Sequence, residues 1–202
     1  RWVSLLSTST ITAVVAVIGI ILRMFSKKQR NNHLGDILLG FAVLMFGMDS
    51  MSSSVSGLAE VEGFKNLFIM FKNPVLGVLA GAVLTAVIQS SSASVGILQA
   101  LATTGLVSYG AAIPIIMGQN IGTCVTAMIS ALGANRNGKR AAVVHLSFNV
   151  IGVTVVSILF YTLNAIIGFS FVSGTINAWG IAIVHTLFKV VCVALIGPFY
   201  KY

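Results

Sequence analysis

Charged residues are scarce in this chain of 202 residues. Only 8% of its residues are Asp, Glu, Lys or Arg, whereas 57% are hydrophobic, and the mean hydropathy is +1.01. Because soluble globular domains carry charge on roughly a quarter of their residues, this composition excludes a soluble domain and predicts an integral membrane protein. Hydrophobic segments long enough for the roughly 20 helical residues that cross a bilayer occupy residues 2–22, 37–58, 75–104, 111–132, 141–163 and 176–199.

Cysteine is nearly absent as well. Cys124 and Cys192 both fall within hydrophobic segments, so the sequence indicates neither a disulfide framework nor a metal site. We expect both to be small, buried side chains.

Basic residues give the chain a net charge of +8, and most of them gather in two short loops. One loop, "RMFSKKQR", covers residues 23–30. The other, "NRNGKR", covers residues 135–140 and carries its three cations within 136–140. Concentrated charge of this kind is typical of cytoplasmic loops of membrane proteins, with recognition of lipid headgroups as the alternative. We therefore expect a multi-pass protein of the cell membrane, with no role in nucleic-acid binding.

The positions of the two basic loops constrain the topology. If both are cytoplasmic, the chain between Arg30 and Arg136 crosses the membrane an even number of times. Segments 37–58 and 111–132 each resemble one crossing, which leaves segment 75–104 with no net crossing. The later segments then go outward and return, so that Lys201 lies inside.

Segment 75–104 is interrupted by "QSSS", at Gln89–Ser92. The interruption divides it into two arms of about 13 residues, each about 20 Å long, against a hydrocarbon core of about 30 Å. The sequence therefore predicts a re-entrant helical hairpin with Gln89–Ser92 at its tip. The alternative is one long, tilted helix in which the serines bond back to their own turn.

A second polar interruption lies in "PIIMGQNIGTCVTAMI". Gly118 and Gly122 bracket Gln119 and Asn120, and two glycines within one turn weaken a helix. We interpret 111–132 as a broken helix, with close helix packing through the glycines as the alternative.

Two breaks that meet near the midplane would supply complementary groups. Backbone N–H groups at the start of a half-helix suit an anion, and carbonyl groups at the end of another suit a small cation. No charged residue occurs from Pro74 to Asn135, so hydroxyls and amides would have to bind the ligands. The candidate oxygens for a cation such as Na+ are those of Gln119, Asn120, Thr123 and the free carbonyls around Ile88 and Gly118.

Residues 142–153, "AVVHLSFNVIGV", are similar to residues 182–193, "AIVHTLFKVVCV", as expected for an inverted pair of helices. We call this similarity the internal echo. Asn149 of the first copy and Ser94 are further candidates for the polar centre, and Lys189 replaces Asn149 in the second copy. We expect His145 and His185 to form hydrogen bonds between helices. Lys189 lies deep in its segment, where a charge is usually paired or hydrated unless it snorkels.

The elements "QSSSAS", "GQNIGT" and "HLSFNVIG", in this order after "LMFGMDSM", resemble the type II sodium-dependent phosphate cotransporters and their bacterial relatives. The similarity runs from about Leu34 to about Val155. It implies Na+-coupled symport of inorganic phosphate by alternating access in an all-α membrane fold, where two inverted repeats each contribute one QSSS hairpin. This chain has one QSSS, so a second repeat from the same or another chain is expected. The chain starts with Arg1 rather than Met, as a fragment would.

The resemblance also assigns roles. The expected phosphate contacts are Gln89, Ser90, Ser91 and Ser92. The expected Na+ ligands are Gln89, Ser91, Gln119, Asn120 and Thr123. No catalytic residue and no cofactor other than the coupling Na+ is implied, and a homodimer is an option. The resemblance suggests a division into residues 1–33, a QSSS repeat over 34–140, and two final helices over 141–202.

Other functions are open at this point. The same hydroxyls and amides would bind sulfate or a carboxylate, and a chain with a single repeat could be an assembly subunit that transports nothing. A membrane-embedded serine hydrolase is disfavoured, because no His or acidic residue lies in the hairpin to activate a serine.

Overall fold

The computed structural model describes residues 8–57 and 61–199, and its structure is almost entirely helical. Within these residues, four helical segments are long and apolar enough to cross a membrane, namely Gln29–Ser54, Tyr109–Ala131, Arg136–Ile167 and Ala178–Ile196. They coincide with four of the predicted segments, which confirms an all-α architecture with several candidate spans. Residues 2–7 of the first predicted segment and Lys201 lie outside the described residues.

The helices, in chain order, are α1 (Thr8–Phe25), α2 (Gln29–Ser56), α3 (Glu62–Met70), α4 (Pro74–Ile88), α5 (Ser91–Ala102), α6 (Tyr109–Gly122), α7 (Cys124–Ala131), α8 (Arg136–Ile167) and α9 (Ala178–Ile196). They group into two compact units, residues 1–54 and residues 55–202.

The first unit pairs α1 with α2 in antiparallel fashion. A Cβ atom at Gly35 would lie 2.8 Å from the carbonyl oxygen of Gly19, so the two backbones touch. Near the connecting loop, Arg23 Nε lies 2.9 Å from Asp36 Oδ1. Because both of these side chains are more than half exposed, close packing of the glycines holds the pair more than the ion pair does.

The second unit is built around α6, which packs in parallel against α4. A Cβ atom at Gly81 would overlap the carbonyl oxygen of Ile115, and one at Gly118 would overlap that of Val78. Gly77 and Gly122 make similar close contacts farther along the same line. Small residues at intervals of four form one stripe on each helix, so the two backbones can approach closely.

The predicted break of segment 111–132 lies at Thr123, between α6 and α7, and not between Gly118 and Gly122. Helix α6 is regular through Gly122, and the interruption before α7 is at Thr123, whose φ of −57° and ψ of −29° are themselves helical. These glycines serve the contact with α4 instead. The carbonyl of Gly118 therefore lies within a helix and is not a free ligand.

The chain does break between α4 and α5, at Gln89 and Ser90. A single straight helix would place residues 85 and 94 about 13.5 Å apart, yet Thr85 Oγ1 lies 2.7 Å from Ser94 Oγ. The alternative of one long helix is therefore excluded. Since α5 connects to α6 by a short loop and Ser94 contacts Gln119, α5 runs antiparallel to α6 and hence to α4.

Helices α8 and α9 complete the second unit. A Cβ atom at Gly152 would lie 2.9 Å from Cys192 Sγ, which marks a close antiparallel contact. At the other end, Ile176 N donates to Val107 O at 2.9 Å and Tyr109 N donates to Gly174 O at 3.0 Å. These bonds hold the beginnings of α6 and α9 side by side.

Replacing Gly118 with Ala should lower the free energy of unfolding by about 1–3 kcal/mol, because the new methyl group overlaps backbone that cannot move independently. Gly47→Ala is the matched control, since nothing lies within 4 Å of its Cβ position. It should leave stability unchanged or raise it by up to about 1 kcal/mol. Thermal unfolding in detergent micelles measures both. Equal stability of the two variants would contradict the packing described.

Candidate functional site

The break between α4 and α5 forms a tip, residues Gln89–Ser92, with an unusual backbone. Gln89 adopts the left-handed conformation at φ 57° and ψ 21°, and its N–H donates to Thr85 O at 2.8 Å. Ser90 is extended, and its Oγ accepts from Ala93 N at 3.3 Å, capping α5. A left-handed residue other than glycine is uncommon and costly, so the rest of the unit must hold the tip in place.

The tip presents unused donors. Gln89, Ser90 and Ser92 are exposed, and Ser91 is half-buried. Among the described residues, the backbone N–H groups of Ser91 and Ser92 have no acceptor, as is normal for the first turn of a helix. Hydroxyls and N–H groups at the positive end of the helix dipole form a surface suited to an oxyanion.

One turn beyond the tip lies a buried polar cluster, which we define as Thr85, Ser94, Gln119 and Asn120. Ser94 Oγ accepts from Thr85 Oγ1 at 2.7 Å and from Gln119 Nε2 at 2.9 Å. Gln119 Nε2 also donates to Ser94 O at 3.0 Å. All four residues are at most 2% exposed, so α4, α5 and α6 are joined by polar contacts in an otherwise apolar interior.

The cluster contains one unsatisfied atom. Gln119 Oε1 is buried and has no hydrogen-bond partner in the part of the chain that the structure describes. Leaving a buried acceptor unpaired costs about 1–3 kcal/mol. This oxygen is therefore available for a cation or for a donor that the chain does not supply.

The two other amides at the site bond to their own helices. Asn120 Nδ2 donates to Ile116 O at 2.7 Å, and Asn149 Nδ2 donates to His145 O at 2.9 Å. Cys124 Sγ lies 3.6 Å from Asn120 O and 3.7 Å from His145 O. Cys124 thus continues the polar contacts from α6 to α8.

The predicted site residues are only partly brought together. Gln119 meets Ser94, and Thr123 Oγ1 donates to Gln119 O at 2.8 Å. Within the described residues, no hydrogen bond links the tip to Gln119, Asn120 or Thr123. Lys189 is exposed on α9.

The hydrogen bonds between helices that we expected from His145 and His185 are not made by either imidazole in the described part of the chain. Both rings are half-buried. The contact between α8 and α9 is made instead by small groups, with Gly152 against Cys192. Close backbone approach at this point does not need a polar bridge.

Sequence reasoning missed Thr85. A single Thr in an apolar helix usually bonds to its own turn, so it gave no signal by itself. Its spacing does give one, because Gly77, Gly81 and Thr85 recur every four residues and therefore share the face that packs on α6.

Comparison with known proteins gives a consistent picture. A sequence model described as Na+/Pi-cotransporter matches residues 1–53 and 44–185. The uncharacterised protein YqeW of Bacillus subtilis is 32% identical over 143 residues, which are 70% of this chain and 47% of that protein. The sodium-dependent phosphate transport protein 2A of Rattus norvegicus is 40% identical over 129 residues, 59% of this chain and 20% of that protein.

A more distant relative is YjbB of Escherichia coli, whose name assigns it provisionally to inorganic phosphate export. It is 25% identical over 145 residues, 71% of this chain and 27% of that protein. The chain thus spans less than half the length of these relatives. No solved structure matches it.

Ser94→Ala should destabilise the protein by about 1–3 kcal/mol, because it removes the acceptor shared by Thr85 and Gln119 while both stay buried. Ser92→Ala, at the exposed tip, should change stability by less than about 0.5 kcal/mol. Thermal unfolding of both variants in the same detergent makes the comparison. Similar losses would show that the cluster does not hold α4, α5 and α6 together.

Proposed function

Because the chain belongs to the Na+/Pi-cotransporter family, we propose that it contributes one repeat of a secondary transporter that couples Na+ to inorganic phosphate by alternating access. The observation that carries this proposal is the unpaired, buried oxygen of Gln119 next to a tip with unused donors. A cation site and an oxyanion site then adjoin, as coupled transport requires.

Each group at the site has a role in this proposal. Ser90, Ser91, Ser92 and the amide of Gln89 donate to phosphate oxygens, together with the free N–H groups at the start of α5. Gln119 supplies its free oxygen to Na+, a cation that prefers oxygen ligands. Further Na+ ligands come from Gln89, Ser91, Asn120 and Thr123.

Two residues support the site without being its main ligands. Ser94 fixes the orientation of Gln119, because it accepts both from that side chain and from Thr85. Asn149 lies at the far end of the polar contacts that lead through Cys124 to α8.

We also propose that α4 and α5 form a re-entrant hairpin. At 15 and 12 residues, they are about 22 and 18 Å long, too short for either to cross a core of about 30 Å. Asn120, in the polar cluster, is the midpoint of the candidate span Tyr109–Ala131. A tip at this depth is tolerated only where it lines a cavity or is buried in protein. The basic loops at 23–30 and 136–140 are cytoplasmic in this arrangement.

A second QSSS repeat would complete the site from the opposite side. The same family model matches the chain twice, over residues 1–53 and 44–185, which fits a tandem arrangement of related units. The second repeat comes from the same polypeptide or from another copy in a homodimer.

The direction of net transport is a separate choice. The rat relative is named for sodium-dependent phosphate transport and the Escherichia coli relative for phosphate export. The site itself is neutral, and alternating access operates in either direction according to the gradients. Symport of Na+ with phosphate is therefore compatible with either uptake or export of phosphate.

Reconstituted protein should accumulate labelled phosphate when a Na+ gradient is imposed, and should not do so with an equal K+ gradient. Transport that ignores Na+ would overturn the coupling. Excess sulfate or a small carboxylate should compete only weakly. Strong competition would indicate a transporter of another oxyanion.

Ser91→Ala should raise the phosphate KM about tenfold, equivalent to the loss of about 1.4 kcal/mol of binding energy. Ser54→Ala is the matched control, because that hydroxyl donates to Ser50 O of its own helix at 2.8 Å and lies outside the tip. Initial uptake rates over a range of phosphate concentrations measure both. Equal KM values for the two variants would remove the tip from the binding site.

A further inference from the structure

Lys189 is the one charged residue in the candidate span Ala178–Ile196, and its side chain is exposed. It lies two residues from Leu187, the midpoint of the span, and therefore only about 3 Å from the middle of the helix. A Lys stem cannot bridge the roughly 12 Å that remain to the nearer surface of the core. Snorkelling therefore does not account for the charge.

Helices α4 to α9 contain no counter-charge for this ammonium. The Asp and Glu residues of the chain are Asp36, Asp49, Glu60 and Glu62, and none follows Glu62. A charge at such depth is costly unless it is paired or hydrated. Water or an anion from outside helices α4 to α9 must therefore compensate Lys189.

Lys189 lies level with the buried polar cluster. The bonds of Ile176 and Tyr109 hold the beginnings of α9 and α6 side by side. Lys189 is eleven residues into α9 (189 − 178), and Asn120 is eleven residues into α6 (120 − 109). The equal rise along two adjacent helices puts both residues at the same depth.

The charge of Lys189 also acts on the polar contacts. Its charge interacts electrostatically with Cys124, His185 and Cys192. Cys124 in turn lies 3.6 Å from Asn120 O in the polar cluster. Lys189 is thus within electrostatic range of Cys124, which connects the cluster to α8.

An open groove extends from the basic loop to His145, whose carbonyl contacts Cys124. It has a volume of about 380 Å³ and runs between α7 and α8, with Gly138 at one end and His145 at the other. Its remaining lining consists of alanines and Ser130. The groove would admit water from the side of the loop at 136–140.

We propose that Lys189 faces an aqueous cavity continuous with the tip and the buried polar cluster, and that its ammonium attracts the transported oxyanion to them. This rests on the proposed function, because it assigns a specificity role in the same site. The site is otherwise neutral, so one fixed cation favours anions carrying more charge. In the second copy of the internal echo, Lys189 occupies the position that corresponds to Asn149, so a cation replaces an amide there.

Labelling tests the cavity without any need for transport. Lys189→Cys should react with a charged, membrane-impermeant thiosulfonate, whereas the wild-type protein should not, because Cys124 and Cys192 are buried. Phosphate with Na+ should slow the reaction several-fold. Reaction only with a lipid-soluble maleimide would place the residue against lipid, and no reaction would place it against a partner helix. Reaction without protection by phosphate would overturn the anion role.

Transport kinetics test whether the charge of Lys189 attracts phosphate to the site. Lys189→Met should raise the phosphate KM about tenfold, the scale expected for one partly screened charge pair, with the Na+ dependence unchanged. Lys189→Arg should stay within about threefold of the wild type, because it keeps the charge. Lys139→Met, which removes a cation from the exposed basic loop, is the control and should keep the wild-type KM.

An unchanged KM in Lys189→Met, or an equal loss in Lys189→Arg, would overturn the proposal. Failure of the proposed function gives a different result, in which the wild-type protein itself carries no phosphate. The labelling of Lys189→Cys distinguishes the two cases, because hydration and protection by phosphate are read directly.

Discussion

The close backbone contact between α4 and α6 is the constraint on which the second unit depends. Glycines on both helices bring the carbonyl oxygens of Val78 and Ile115 against the opposite backbone. The contact fixes the level at which α4 ends, and so places Thr85 and the break opposite Gln119. If the helices were separated by ordinary side chains, the bonds from Thr85 and Gln119 to Ser94 could not all form.

A site made without formal charge follows from this packing. The interior of a membrane protein penalises isolated ions, whereas amides and hydroxyls can remain there when their hydrogen bonds are satisfied. Thr85 and Ser94 are satisfied, and the oxygen of Gln119 is not. Leaving this one acceptor of Gln119 without a hydrogen bond costs little when the site is empty, and a cation that binds there gains an oxygen ligand. Lys189 adds charge nearby, on a helix that is not part of the cluster.

Hydropathy was sufficient to predict the candidate spans, and the polar run Gln89–Ser92 was sufficient to predict the break. The sequence could not decide the role of Gly118 and Gly122, because glycine both weakens a helix and permits close packing. Only the position of α4 resolves that choice. The importance of Ser94 and Thr85 also depends on tertiary structure, since their bonds join helices that are separate in sequence. The unpaired oxygen of Gln119 leaves no trace in the sequence.

The central claim is that Gln119 supplies a cation ligand beside the tip. The most direct measurement is the melting temperature of the purified protein in Na+ compared with choline, because a ligand that binds the folded state raises it. The account predicts that Na+ stabilises the wild type and Gln99→Met, a matched change of a Gln on α5 whose Nε2 bonds to Ala178 O. Gln119→Met should lose this shift. A full Na+ shift in Gln119→Met would contradict the account.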